Sequence, residues 1–241
     1  TYTARHPDNG SYAVARALDL PRSRVRPWLN GAMPDPMRAL DTCWTRNWLP
    51  DDWTSPKAVA WTVIMAAAWG GGSVSSDFFV PRWVVDDSDE RAILRGAADP
   101  LGLEFTELCE DPLEVGPTND GSVVGRVLVA LGYPRGDKSP ESMASIPEWI
   151  STIPSRIQLQ AARTYTTFRD TDAVDYIQIS ETRSLGYREQ LAGVFRSVVD
   201  NPDDVRAERW PIRIVDDAAE TLRPLPAIAD GGPVDPAAAG E

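Results

Sequence analysis

Ala60-Trp-Thr-Val-Ile-Met-Ala-Ala-Ala-Trp-Gly-Gly-Gly-Ser73 sets the architecture of this chain. Ser55-Pro56 stands just ahead of it, a capping residue followed by proline at the first turn, so a helix is expected over residues 56–70. The helix is apolar nearly all round, which predicts burial on every side, and it is rich in alanine along one side. Three glycines and a serine end it.

Downstream, the runs Val74–Phe79 and Arg82–Val85 are β-like, and Ser88–Ala98 has helical character. A strand pair around Leu103–Cys109 and Leu113–Gly116 leads to a helix over Ser122–Leu131. A similar order returns later: helix Pro154–Phe168, strand Asp175–Ser180, amphipathic helix Leu185–Val199, strand Trp210–Val215 and helix Asp216–Leu222. Two such units predict a duplicated α/β (α+β) domain over residues 51–223, with repeats at 55–132 and 151–223. Residues 224–241, rich in proline, alanine and glycine, are expected to form a disordered tail.

Upstream, residues 1–50 predict a separate all-α unit. Tyr12, Val14, Ala15 and Leu18 share one helical face over 11–18, with Ser11 available as the N-cap. Asp19-Leu-Pro-Arg22 is a turn, and Arg22–Leu29 makes a second short helix ended by Asn30-Gly31. Met37–Trp44 predicts a third helix, while the segment around His6 is expected to fray. "ARALDLPRSRVRPWLNG" is similar to the helix-turn-helix of many small regulators. In that geometry the early residues of the second helix face base edges in the major groove, which makes Arg22, Ser23, Arg24 and Arg26 the candidate DNA contacts. Val25, Trp28 and Leu29 would face the small core, and Pro27 removes one amide from the helix. An ordinary helix pair with solvated arginines is the plainer alternative.

Composition narrows the chemistry. The single histidine, His6, lies in the N-terminal segment expected to fray, which argues against His-based triads, facial triads and zinc deaminase chemistry. Cys43 and Cys109 lie far apart in sequence and suit small core residues better than a disulfide. No apolar run approaches a membrane span and no secretory leader is legible, so a soluble cytoplasmic protein without a membrane partner is expected. A net charge of -12 argues against a nucleic-acid partner, but its distribution weakens that argument. Residues 1–48 carry seven arginines against four aspartates, leaving the remainder strongly acidic. Lys57 and Lys138 are the only lysines among 24 basic residues, and an acidic, lysine-poor chain resembles proteins of extremely halophilic archaea.

Three segments together resemble the LAGLIDADG homing endonucleases. Residues 60–73 look like a worn copy of the signature helix, and "ARTYTTFRDTDA" at 162–173 is similar to the second copy. Between them, "ALGYPRGDKSPESMASIPEWI" at 130–150 resembles the inter-repeat segment, the most specific of the three matches. The resemblance implies a pseudo-twofold αββαββα duplicated domain. Its signature helices pack through small residues such as Ala66, Ala67, Ala68 and Gly70, and two antiparallel sheets form a saddle over double-stranded DNA.

Cleavage in that family needs a carboxylate at the foot of each signature helix, the two sharing divalent metal. On this resemblance the first position falls at Gly71 and the second at Asp172, or less well Asp170; Asp77 is a nearby acid with no register to recommend it. The leading expectation is therefore a DNA-binding regulator or genome-maintenance factor that does not cleave and has no catalytic or metal-ligating residues. The arrangement resembles WhiA-type regulators with the domain order reversed. Two alternatives stand beside it: an active endonuclease using Mg2+, and a helix-turn-helix protein whose acidic domain binds other proteins. Two signature helices in one chain favour a monomer, whereas a helix-turn-helix often works as a homodimer.

Overall fold

Asp19, Leu20 and Pro21 determine the path of the N-terminal unit. In the computed structural model, which describes residues 2–136, 138, 145–170 and 175–223, the chain divides into two compact units, Thr1–Thr45 and Arg46–Glu241. The first holds α1 (Tyr2–Arg5), α2 (Ser11–Leu18), α3 (Arg22–Leu29) and α4 (Asp35–Thr45). Asp19 ends α2 in the left-handed conformation (φ 51°), and Pro21 precedes α3 at φ -57°, so three residues turn the chain between the helices. Val14, Ala15 and Val25 form the core, with Leu20 and Trp28 packed against it.

Three expectations for this unit change. The segment before His6 is helical rather than frayed. Ser11 begins α2 and does not cap it: its Oγ accepts from Arg22 Nε at 3.0 Å instead. The third helix starts at Asp35 rather than Met37, because Asp35 and Pro36 both suit a first helical turn.

In the second unit, α5 (Pro56–Gly71) begins with the Ser55 hydroxyl accepting from the Ala58 amide. It is buried almost throughout from Ala58 to Gly70. The strands β1 (Gly72–Val74), β2 (Pro81–Val84), β3 (Phe105–Glu110) and β4 (Leu113–Pro117) form an antiparallel sheet of order β1-β2-β4-β3. The helices α6 (Ser88–Ala98) and α7 (Gly121–Ala130) complete this half. The expected strand over Val74–Phe79 stops at Val74. There the Ser75 and Val80 backbones pair across a tight loop, and Phe79 adopts φ 57°.

The order of elements then recurs. Helix α8 (Ser155–Thr167) is followed by β5 (Ile177–Ser180), α9 (Leu185–Arg196), β6 (Val205–Ala207), β7 (Pro211–Ile214) and α10 (Asp216–Leu222). The second sheet, β5-β7-β6, is antiparallel and repeats the arrangement β2-β4-β3 of the first. An isolated antiparallel bridge, Asp170 to Ile179, lies on the side of β5 where β1 flanks β2 in the first half. Among the described residues the fold is thus a mixed α+β one with two small antiparallel sheets. The predicted tail over 224–241 lies outside the described residues.

The core of this unit is built on the packing of α5 against α8, whose small residues Ala161 and Ala162 are buried. Trp69 stacks on Tyr187 with ring centroids 6.0 Å apart. Trp48 ties the segment ahead of α5 to the core, donating from Nε1 to Leu101 O at 2.6 Å and accepting from Trp61 Nε1 at its carbonyl. Neither cysteine forms a disulfide among the described residues; Cys43 is buried as expected, but Cys109 is exposed on β3, whose residues from Thr106 onward face solvent. No helix among the described residues is long and apolar enough to cross a membrane.

Candidate nucleic-acid interface

The four arginine- and serine-bearing positions singled out in the sequence lie together on α3. Arg22, Ser23, Arg24 and Arg26 are all exposed, while Val25 is buried and Trp28 half-buried. With about 100° between successive residues, Ser23 and Arg26 point away from the Val25–Trp28 side, and Arg22 and Arg24 flank them. Arg22 is partly engaged by Ser11. Pro27 lies in the last turn without breaking the helix.

The second unit offers basic groups that sequence reasoning missed. On the second sheet Ile177, Ile179, Ile212, Ile214 and Val205 are buried, so the alternate residues form an outer face. Gln178, Arg213 and Arg206 make one row across it, in register from β5 to β7 to β6. Two arginines directly opposite one another repel, and such a pair is retained at a cost of about 0.2–1 kcal/mol. Arg206 donates only to the Asp203 carbonyl at 3.3 Å, and Arg213 lies over the Tyr176 ring at 4.3 Å. Neither forms an ion pair among the described residues. The corresponding face of the first sheet differs: Arg82 is paired with Glu114 at 3.1 Å.

Between the two halves, where α5 ends and α8 runs into Phe168 and Arg169, lies a cleft of about 450 Å³. Gly70, Gly71, Val84, Asp86, Lys138 and Arg169 are among the residues that line it. The glycines are required by the close approach: a Cβ at Gly71 would stand 3.0 Å from Phe168 Cδ1 and 3.2 Å from the Val84 carbonyl. Lys138 Nζ donates to Ala68 O at 3.1 Å, and Tyr133 Oη lies 2.7 Å from Gly72 O and 3.0 Å from Ala68 O, sharing its proton between them. Burial lowers the Lys138 ammonium to about 7; Arg183 and Arg169 push in the same direction and Glu181 opposes them.

Arg169 Nη2 donates to Ser180 O at 2.7 Å, and its Nε is buried with no hydrogen-bond partner among the described residues. Behind it, Glu181 is 2% exposed and accepts from Arg183 Nη1 at 2.7 Å and from the Tyr165 hydroxyl at 3.2 Å.

Carboxylates do not converge in this cleft among the described residues. Gly71 supplies no side chain, Asp172 lies outside the described residues, and Asp77 is exposed in the β1–β2 loop. Asp170 directs Oδ1 to the Gln178 amide at 3.2 Å. A divalent cation needs several anionic or neutral oxygens around it, and the described residues contain no group of three His, Cys, Asp or Glu side chains that would hold one. The charged side chains on the cleft wall are Lys138 and Arg169 against Asp86 alone. The described donor set does not fit Mg2+.

Lys138 carried one signal in the sequence, as one of two lysines among many arginines. Arg206 carried none, because a strand of three residues has too little alternation to stand out. Compared with known proteins, the chain matches no protein-family model and no curated sequence.

Proposed function

We propose that this chain is a sequence-specific DNA-binding protein, regulatory or genome-maintaining, built on a LAGLIDADG-like framework that binds duplex DNA without cutting it. The observation that carries this reading is the row Gln178–Arg213–Arg206 on the outer face of the second sheet. An exposed arginine pair that costs stability and has no carboxylate partner among the described residues is suited to a polyanion. Glutamine and arginine are also the side chains that pair bidentately with adenine and guanine edges. The likeness of the two sheet orders about the α5–α8 pair supports the duplicated framework. The exposed face of α3 supplies a second, smaller contact through Arg22, Ser23, Arg24 and Arg26. Gly71 and the cationic lining of the cleft support binding without cleavage.

The test is selection from a pool of random duplexes with the full chain, followed by incubation of the selected duplex with Mg2+ or Mn2+. Enrichment of one sequence that stays intact is the expected result. Metal-dependent cleavage abolished by Asp172→Asn would replace this reading with an active endonuclease. Duplex binding that is lost when residues 1–48 are removed would leave the acidic unit as a protein-binding module that only the helix-turn-helix brings to DNA.

A further inference from the structure

We infer that Phe78, in the loop between β1 and β2, is a wedge: its ring enters the stack of the bound duplex at one base step and opens it. This inference rests on the DNA-binding reading and adds a residue that acts on the shape of the DNA rather than on its base edges.

Phe78 is 74% exposed, and the loop around it is built to keep it so. The Ser75 amide donates to Val80 O at 3.0 Å, the Phe79 amide to Ser75 O at 3.2 Å, and the Val80 amide to Ser75 Oγ at 3.0 Å. Phe79 stands at φ 57°, a conformation that a bulky residue rarely adopts. Its carbonyl presses on Gly125 of α7, where no side chain could stand. On the other flank the Gly136 amide donates to Val74 O at 2.8 Å, which brings the chain around Arg135 alongside the loop. The loop is thus fastened on both sides and strained at the residue next to Phe78.

The charge beneath the ring points to a polyanion. Arg126 and Arg135 lie over the Phe79 ring, 4.0 and 4.9 Å from its centroid. Cation–π attraction favours each of them there, but two guanidiniums gathered on one ring repel one another. Arg135 is exposed and forms no ion pair among the described residues. Asp77 is the one carboxylate of the loop, and it too is exposed. An apolar ring standing on a net positive base matches a duplex, whose phosphates meet the arginines and whose stacked bases receive the ring. A protein partner could cover the ring, but it would not by itself call for the two arginines.

A wedge must be stiffer than the stack it enters, which is what the strained and bonded loop supplies. Pyrimidine–purine steps unstack most easily. Phe78 should therefore select such a step at one position of the bound sequence and kink the duplex there.

The duplex selected by the full chain from a random pool is probed with permanganate, which oxidises unstacked thymines. Binding is expected to make a thymine reactive at one pyrimidine–purine step. Phe78→Ala should abolish that reactivity and weaken binding roughly tenfold, whereas Phe78→Leu should keep both. Thermal unfolding should be unchanged in either variant, because the ring is exposed. Affinity and reactivity both unmoved by Phe78→Ala overturn the wedge, let the DNA-binding reading stand and leave the ring for a protein partner. Lower affinity with no reactive thymine in the parent complex also overturns it, since the ring then touches the duplex without opening a step. If no duplex binds the parent chain, the DNA-binding reading falls and the wedge with it.

Discussion

Gly70 and Phe168 are so close that a side chain at Gly70 would have its Cβ 2.5 Å from Phe168 Cβ. The two residues belong to the ends of the two helices on which the second unit is built, and their contact fixes how near those helices come. Alanine in place of helical glycine normally gains about 1 kcal/mol. Here overpacking, worth roughly 1–3 kcal/mol, should outweigh that gain, because Phe168 Cβ is attached to the backbone and cannot swing aside. Gly70→Ala is therefore expected to lower the urea midpoint. Gly125→Ala should do more, since its Cβ would lie 1.7 Å from the Phe79 carbonyl oxygen. A Gly70→Ala protein as stable as the parent would show that the helices can separate.

The opposed arginines of the second sheet separate binding from stability. Arg206→Ala or Arg213→Ala is expected to leave stability unchanged or raise it by up to about 1 kcal/mol, as the like charges are relieved. Duplex affinity should fall, and the slope of log affinity against log salt should drop by about 1 for each phosphate that the variant no longer neutralises. Fluorescence anisotropy across a salt series reads both quantities.

On α3, Arg26→Ala should weaken duplex binding by about 1–3 kcal/mol if it reads a base and relax preference at one position of the selected sequence. Arg22→Ala should cost less, since Arg22 is already bonded to Ser11. Repeating the selection with each variant shows whether one position loses its preference or binding falls uniformly.

Glu90 sets a pH dependence. Burial raises its carboxyl to about 7, and Asp87 and Asp86 add to that, against the backbone amides of Asp86 and Asp87 that lower it. Between about 4.5 and 7 the folded state holds a proton that the unfolded state has lost, so stability falls as pH rises through that window and the penalty is complete above it. Glu90→Gln keeps an acceptor for the Asp86 amide and should stabilise the protein by about 2 kcal/mol at pH 8. Chemical unfolding at pH 5 and pH 8 should show the gain at the higher pH and little at the lower.

Glu181 is buried and accepts from Arg183 and from the Tyr165 hydroxyl. Glu181→Gln leaves Arg183 and Arg169 without their counter-charge, which typically costs about 3–5 kcal/mol when one partner of a buried pair is removed. Reduced stability in chemical unfolding, with the far-UV circular dichroism of the folded protein unchanged, is the expected pattern.

Most elements were legible because the residues that start and stop them act locally. Ser55-Pro56 opened the long helix and Asp19 closed an earlier one, and each did so through contacts within a few residues. What escaped was decided at a distance. Ser11 gave up its capping role to an arginine eleven residues away. The strand expected up to Phe79 was cut short by a loop packed on Gly125. That the α3 positions are exposed around a buried Val25 was legible because helical periodicity alone separates the core side from the rest. Lys138, Arg169, Arg206 and Arg213 were not found, because only the packing of α5 on α8 and the pairing of β6 with β7 bring them to their places.

The two halves of the second unit share a plan but not a charge. Arg82 is paired with Glu114 on one sheet, whereas Arg206 and Arg213 on the other have no ion pair among the described residues. A homodimer would have to present the same surface twice, but one chain carrying both halves is free of that constraint. The consequence is polarity. On the proposed DNA-binding reading, a duplex lying across both sheets would meet a paired arginine on one and two arginines without carboxylate partners among the described residues on the other, so the sequence it carries need not be a palindrome.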